Sequence, residues 1–438
     1  MTISSQTDVI IIGAGVAGLS AAKELTKHGL SFVVVEASHR IGGRVYSEEI
    51  APGVWFDLGC AYVTTSDDPA VVNPFVKIAK ALGVEIGEDE ANLYNDPQYY
   101  YNGKKLVARE EAVLLQYLED SHAAIIASVN RGEDRAISEL IDLDNPYAEL
   151  YNNHVSAGTA DIDQLSAADY LNASGDTEIP VLNGYGNLVA KWGADVPVSL
   201  NTKVEAIDWS EKHVRVETAK GTLRGRCLLT TVSNGILAAR HIRFEPGFPD
   251  WKVDAIEGLP TGAESKVGVH FDKDIFGPDG RGAYYSWTDR DEVAEVEASV
   301  MGLNVAIVFS SGRRATWLEE QGQQAGHDFA VNRIVDVFGN DIRKSVTRSI
   351  VSAWTRDPWT LGSYSYALPG QSHQRKELAR PIDDKVFFAG EATMKTLLGS
   401  CNGAYLSGVR AAQEIANTLQ RSRSVSTDAG TRTSSSTI

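Results

Sequence analysis

The sequence predicts an α/β fold in two domains, and three observations predict it. The first forty residues run apolar strand, glycine-rich turn, amphipathic helix, apolar strand. A second strand, glycine and helix unit closes the chain between Val386 and Leu419. Between these ends, residues 76–181 read mainly as helix, and 290–345 mix helical runs with a strand-like Val305 to Phe309. A chain of 438 residues is long enough for two cores.

The elements follow in order. Val9 to Ile12 is an apolar β-type run. Gly13, Gly15 and Gly18 follow in G-x-G-x-x-G spacing. Val16, Leu19, Ala22 and Leu25 then give a helix from Val16 to His28. Phe32 to Val35 is the next strand, and Glu36 closes it 23 residues after Gly13. This order is that of a dinucleotide site. Gly13 permits the tight turn, Gly15 lets a pyrophosphate approach the backbone, and Gly18 lets helix pack on strand. The helix N-terminus offers unpaired N–H groups to the phosphates, and Glu36 stands where an acid accepts ribose hydroxyls. Glu111 to Val129 has helical spacing. Pro197 to Val204, His213 to Thr218 and Cys227 to Val232 are short strands. In Glu264 to Phe271, Lys266, Gly268 and His270 share one strand face, and Val267, Val269 and Phe271 take the core face.

Bulk properties narrow the function. Net charge is −17, which argues against a nucleic-acid partner. Three distant cysteines, Cys60, Cys227 and Cys401, suggest a reducing compartment and no disulfide framework. Residues 1–7 are polar, no apolar run reaches membrane-spanning length, and a soluble cytoplasmic protein without membrane partners is expected. No metal-ligand pattern stands out. Residues 421–438, rich in Ser, Thr and Arg, are expected to be a disordered tail.

The segment Glu36, Ala37, Arg40, Gly42, Gly43, Arg44 resembles the extended FAD fingerprint of the flavin amine oxidase superfamily, which includes monoamine and polyamine oxidases. Gly390, Glu391 and the run Gly399 to Gly408 resemble its C-terminal flavin segment. The resemblance implies a Rossmann-type FAD domain from three pieces, 1–75, 182–258 and 363–420, and an α+β substrate domain from 76–181 and 259–362. It implies cofactor contacts at Gly13, Gly15, Gly18, Glu36, Ala37, Arg40, Gly43, Arg44, Gly59, Val204, Trp354, Gly390, Glu391 and Asn402, with Val204 at the adenine. Lys266 matches the family lysine that reaches the flavin through a water. Tyr364 matches one wall of an aromatic cage, and the opposite wall aligns with Ser400, so half the cage is absent. Tyr62 is a cavity-lining candidate, with a core role the alternative. Cys60 and Cys401 are read as small packing residues near the flavin.

The expected chemistry is oxidation of an amine C–N bond to an imine by hydride transfer to the flavin, with O₂ giving hydrogen peroxide. Ser363 replaces the cysteine that mammalian monoamine oxidases use for covalent attachment, so FAD is expected to be non-covalent. No arginine lies between Ala61 and Thr65, where amino-acid oxidases of the superfamily bind a carboxylate, so an amine without an α-carboxylate is expected. The half-cage suits a larger primary or secondary amine. The segment after Tyr62 resembles bacterial nicotine-pathway oxidases, making an alkaloid-type amine one candidate and a polyamine another. A desaturase or other C–C oxidase of the same superfamily, a non-catalytic FAD-binding protein, and an NAD dehydrogenase are the alternatives. Oligomeric state stays open, with a homodimer one option.

Overall fold

The computed structural model describes residues 7–65, 73–87, 96–155, 159–173, 177–288 and 293–431. The strand Thr7–Ile12 lies at the centre of an eight-stranded sheet, parallel to Phe32–Val35 on one side and to Gly221–Thr230 on the other. Both faces of this strand are covered. Val9 and Ile11 enter a core with the helix Val16–Lys27 and the terminal helix, while Ile10 and Ile12 enter a second core. An unbroken apolar run suits a strand buried on both faces. Val386–Phe388 pairs in parallel with Gly221–Thr230, which places the start of the C-terminal motif beside the N-terminal one.

The terminal helix closes on Val16–Lys27 at small residues. A Cβ at Gly408 would lie 2.1 Å from the carbonyl oxygen of Ala17, so only glycine permits this approach. This helix spans Cys401–Thr431, past the expected end near Leu419 and through the first part of the expected tail. Ser and Thr favour helix weakly, yet adding residues to a helix already anchored by packing needs no new nucleus. Residues 432–438 lie outside the described residues.

The second sheet has seven strands in the order Val346–Val351, Glu264–Phe271, Val305–Ser311, Ala294–Ala298, Gly282–Trp287, Gln98–Tyr101 and Lys104–Lys105. Val267, Val269 and Phe271 face a core closed by Ala330, Val331 and Ile334 of the helix Gln323–Phe338. The alternate face is not open to solvent either. Lys266 is buried, and a Cβ at Gly268 would meet the Phe56 ring at 2.7 Å, because the hairpin Ser47–Ala51/Val54–Asp57 lies over it. The two sheets and their separate cores agree with a two-domain arrangement.

One expected limit falls inside an element. The helix Pro74–Leu82 straddles residue 75, and Phe75 and Ala79 enter the first core. Asn73 caps this helix through its side chain, and the Phe75 ring meets the edges of Tyr185, Trp192 and Tyr405 at 5.3, 5.4 and 5.8 Å. Aromatic packing therefore ties this helix to the dinucleotide side. Among the described residues no helix is long and apolar enough to cross a membrane.

Candidate active site

One cavity of about 1570 Å³, its open mouth included, runs along the C-terminal ends of the central strands. Gly13, Gly15, Glu36, Ala37, Arg40, Gly43, Arg44, Gly59, Val204, Trp354, Ser400, Tyr364, Gly390 and Glu391 all line it. Of the residues named, Gly13 and Ser400 are 387 positions apart in sequence and meet at one site.

Its first end is a glycine cradle. Gly13 has φ of +100°, and a Cβ there would lie 2.6 Å from the Thr231 hydroxyl. Gly15 bridges to Gly42, and a Cβ at Gly43 would come within 3.2 Å of the Gly15 Cα. The helix Val16–Lys27 starts at Gly15 with no side-chain cap and no acid in its first turn, and Val16 and Ala17 face the cavity. An uncapped helix N-terminus behind a glycine turn suits a pyrophosphate. Glu36 is held at the end of its strand by N–H donation from Ala14 at 2.7 Å and Ser38 at 2.8 Å. Gly18 lies behind the wall, where a Cβ would be 2.0 Å from the Gly13 carbonyl oxygen, so its part is helix packing.

The middle of the cavity carries a buried charge relay. Arg44 donates to Glu391 at 3.0 Å and to the Ser363 carbonyl at 2.6 Å. Glu391 also accepts from the Ser365 hydroxyl at 2.7 Å and from the Gly399 N–H at 3.2 Å. Burial pushes its carboxyl up, but Arg44, Arg375 and the Ser365 hydrogen bond outweigh that and hold it below the usual range. Arg375 donates to the Ser365 hydroxyl and grips Asp169 with two bonds, at 2.6 and 2.7 Å. Asp169 lies on the helix Ala167–Asn172 and Arg375 on the helix Gln374–Ala379, so the relay links distant segments. Neither Asp169 nor Arg375 carries a local sequence signal, and sequence reasoning missed both.

The far end holds the chemistry-bearing side chains. Trp354 donates its indole N–H to the Leu58 carbonyl at 2.8 Å and closes on Gly59. A Cβ at Gly59 would lie 1.9 Å from the Arg44 carbonyl oxygen, so this position requires glycine. The Tyr364 ring lies against Gly399, where a Cβ would be 2.7 Å from it. Ser400 lines the cavity, but its hydroxyl is turned to the Leu397 carbonyl and to Asn402 at 2.6 Å each. Asn402 accepts from the Gly403 N–H and is buried in the first turn of the terminal helix rather than on the cavity wall.

Lys266 also stands one layer back. Its ammonium donates to the Gly59 carbonyl at 3.0 Å, between the Phe56 and Phe309 rings at 5.9 and 5.4 Å. Tyr62 is half-buried outside the lining and donates its hydroxyl to Glu297 at 2.7 Å. Cys60 and Cys401 both line the cavity, and Cys401 lies beside Cys60 and Tyr185. Burial first, and the neighbouring Cys60 second, push the Cys401 thiol well up.

Sequence reasoning also missed Glu264, which lines the cavity two residues before Lys266. The two-residue strand period was the available signal, since it puts Glu264 on the Lys266 face. Burial pushes its carboxyl up to about 7, with Lys266 working the other way and Glu297 adding to the rise. Thr231, His241 and the turn Asp357 to Thr360 are further lining residues.

These residues fit FAD. The cradle is one that side chains would fill: a Cβ at Gly390 would meet no heavy atom within 4 Å. The uncapped helix N-terminus and the acid Glu36 on the same cavity wall agree with it.

Comparison with known proteins gives the same answer. The family model described as "Flavin containing amine oxidoreductase" matches residues 16–416. The chain is 27% identical over 446 residues to a probable polyamine oxidase 4 of Arabidopsis thaliana, covering 93% of this chain and 86% of that one. It is 26% identical over 499 residues to lysine-specific histone demethylase 1 homolog 3 of the same plant, covering 95% of this chain but only 30% of that much longer protein. Its fold is similar to cyclohexylamine oxidase from Brevibacterium oxydans IH-35A, with a TM-score of 0.75 at 23% identity over 94% of this chain and 99% of that one. The match takes in most of the chain, and the chain belongs to the flavin-containing amine oxidoreductase family.

Proposed function

We propose that this chain is an FAD-dependent amine oxidase acting on a larger primary or secondary amine, with O₂ as the acceptor and hydrogen peroxide as a product. The observation that carries the reading is the single cavity that begins at an uncapped helix N-terminus and ends among Tyr364, Glu264 and Ser400. When bound, FAD supplies the hydride acceptor for the carbon next to nitrogen. The residues of this chain do the rest. Gly13, Gly15 and Gly43 admit the pyrophosphate, Glu36 takes ribose hydroxyls, and Arg44 and Glu391 hold the middle of the cofactor. The Tyr364 ring orients the amine and excludes water. Ser400 leaves the other side wide, which suits a bulky or secondary amine. Lys266 stands behind Gly59, and through its bond to the Gly59 carbonyl it puts a positive charge behind the flavin side that would assist O₂ reduction. Ser363 cannot form a thioether, and its hydroxyl already donates to the Gly262 carbonyl at 3.0 Å, so the FAD is dissociable. An acid at the substrate end favours a cationic substrate such as a polyamine over an uncharged one.

The test is anaerobic bleaching of the flavin band by spermidine, cyclohexylamine, benzylamine, a cyclic secondary amine and an α-amino acid, each followed by air. Bleaching by an amine, with recovery and peroxide in air, supports the reading and names the class. A flavin that dithionite reduces but no amine bleaches would overturn it in favour of a desaturase or a binding protein. FAD that stays with acid-precipitated protein would overturn the non-covalent part.

A further inference from the structure

We propose that Glu264 is the base that takes the proton from the incoming ammonium, so that the amine reaches the cofactor neutral. The inference rests on the amine oxidase reading and deepens it.

Four carboxylates line the cavity: Glu36, Glu264, Asp357 and Glu391. Three are already engaged. Glu36 accepts from the Ala14 and Ser38 N–H groups, Glu391 from Arg44, Ser365 and Gly399, and Asp357 from the Trp359 N–H at 2.7 Å. Glu264 alone accepts no hydrogen bond from any described residue, and its side chain looks into the cavity. A half-buried carboxyl on the cavity wall with no protein donor is left for a ligand to meet. An ammonium with N–H groups to donate is the complementary ligand.

Position supports the role. The segment before Glu264 pairs with the Tyr364 segment: the Gly262 N–H donates to the Tyr364 carbonyl and the Ser363 N–H to the Gly262 carbonyl, both at 2.8 Å. Glu264 therefore starts the strand at the edge of the Tyr364 wall, where the amine is oriented. The charged groups facing it are Lys266 on its own strand and Glu297 on Ala294–Ala298, the strand beyond Val305–Ser311 in the same sheet. Glu297 is occupied by the Tyr62 hydroxyl, and Lys266 is committed to the Gly59 carbonyl. Neither is free to take a proton from substrate.

The chemistry balances without an added reagent. An N–H bond of the ammonium breaks, an O–H bond forms on the Glu264 carboxyl, and the bonding pair stays on nitrogen as its lone pair. No electrons are exchanged in this step. A desolvated site favours the neutral amine–carboxylic acid pair over the ion pair. With its carboxyl near 7, Glu264 is poised to accept and later release the proton at neutral pH.

The experiment uses the holoenzyme. In anaerobic stopped flow, the flavin reduction rate over Kd is followed from pH 5 to 10 with whichever panel amine bleaches the wild type. Wild type should inflect near 7. Glu264→Gln should lose that inflection and fall roughly a hundredfold at pH 7, while approaching wild type at pH 10, where free amine becomes abundant. Glu264→Asp should keep an inflection. A readout independent of turnover is proton release on binding tert-butylamine, which has no α-hydrogen to give up. Wild-type release should step by about one proton per site across the Glu264 titration range, from about one below it to none above it, whereas Glu264→Gln should release the same number on both sides. Superimposable pH profiles, or the same step in proton release, in a Glu264→Gln protein that retains FAD would overturn the proposal and leave the amine oxidase reading standing. A wild type that no amine bleaches would overturn that reading and this inference with it.

Discussion

Replacing Arg375 with methionine tests whether the relay behind the cavity holds the protein together. The Arg375 and Asp169 side chains are each about 1% exposed. Arg375 makes two bonds to Asp169, one to the Ser365 hydroxyl, one to the Ser365 carbonyl at 3.2 Å and one to the Ala392 carbonyl at 3.2 Å. Methionine refills much of the stem volume but leaves the Asp169 carboxylate with little beyond the Ala367 N–H at 2.8 Å. Removing one partner of a buried pair costs about 3–5 kcal/mol, because the other charge stays buried. Glu391 also loses one of the two arginines that hold its carboxyl down. We therefore expect Arg375→Met to lose about 3–5 kcal/mol in urea unfolding of the holoenzyme and to release flavin at lower urea. Two cores can unfold separately, so tryptophan emission and flavin release are read as two transitions. The double variant Asp169→Leu/Arg375→Met removes both charges and should recover about 2 kcal/mol or more relative to the sum of the singles. A single-variant loss below about 1 kcal/mol, or a double variant no better than additive, would refute the reasoning.

Four further outcomes are expected. Gly59→Ala forces a Cβ onto the Arg44 backbone, so the purified protein should carry much less FAD, read from its absorbance ratio. Lys266→Met should keep FAD but slow turnover or reoxidation at least about tenfold; unchanged rates in both half-reactions would remove Lys266 from the mechanism. The Glu264 carboxyl is raised in the folded protein, so its contribution to stability is fully present below its unfolded value of 4.5 and is lost as pH rises through about 7. Glu264→Gln should therefore be more stable than wild type at pH 8 and equal to it near pH 4, measured by melting temperature without substrate. Burial pushes the Cys227 thiol up to about 12 and the Cys401 thiol well up, so both should resist a thiol reagent at pH 8 until urea is added; prompt labelling of either in the native protein would contradict this.

What was legible in the sequence was what short-range rules can carry. The strand Phe32–Val35 has the bounds its apolar run predicts, and the helix Val16–Lys27 ends one residue before His28. The Lys266 strand buries its two faces in the expected alternation. The glycines of the cradle were readable because a missing side chain at fixed spacing has a direct steric reason, and the structure supplies the colliding atoms at Gly13, Gly43 and Gly59. Side chains whose role depends on what lies across the cavity were not readable. Asn402 and Ser400 both satisfy the first turn of the terminal helix, a local use that competes with any contact to a ligand. Arg375 and Asp169 meet across 206 residues, and nothing in either neighbourhood says so. Glu264 falls between these cases. Its face was implied by the same alternation that singled out Lys266, but only the closing of the Tyr364 segment against Gly262 shows that the face opens onto the cavity at Glu264 and is sealed by Phe56 further along. One strand therefore carries a buried lysine and an open acid two residues apart. That difference comes from the covering hairpin, so shortening the Phe56 side chain should open the Lys266 end to water without moving Glu264.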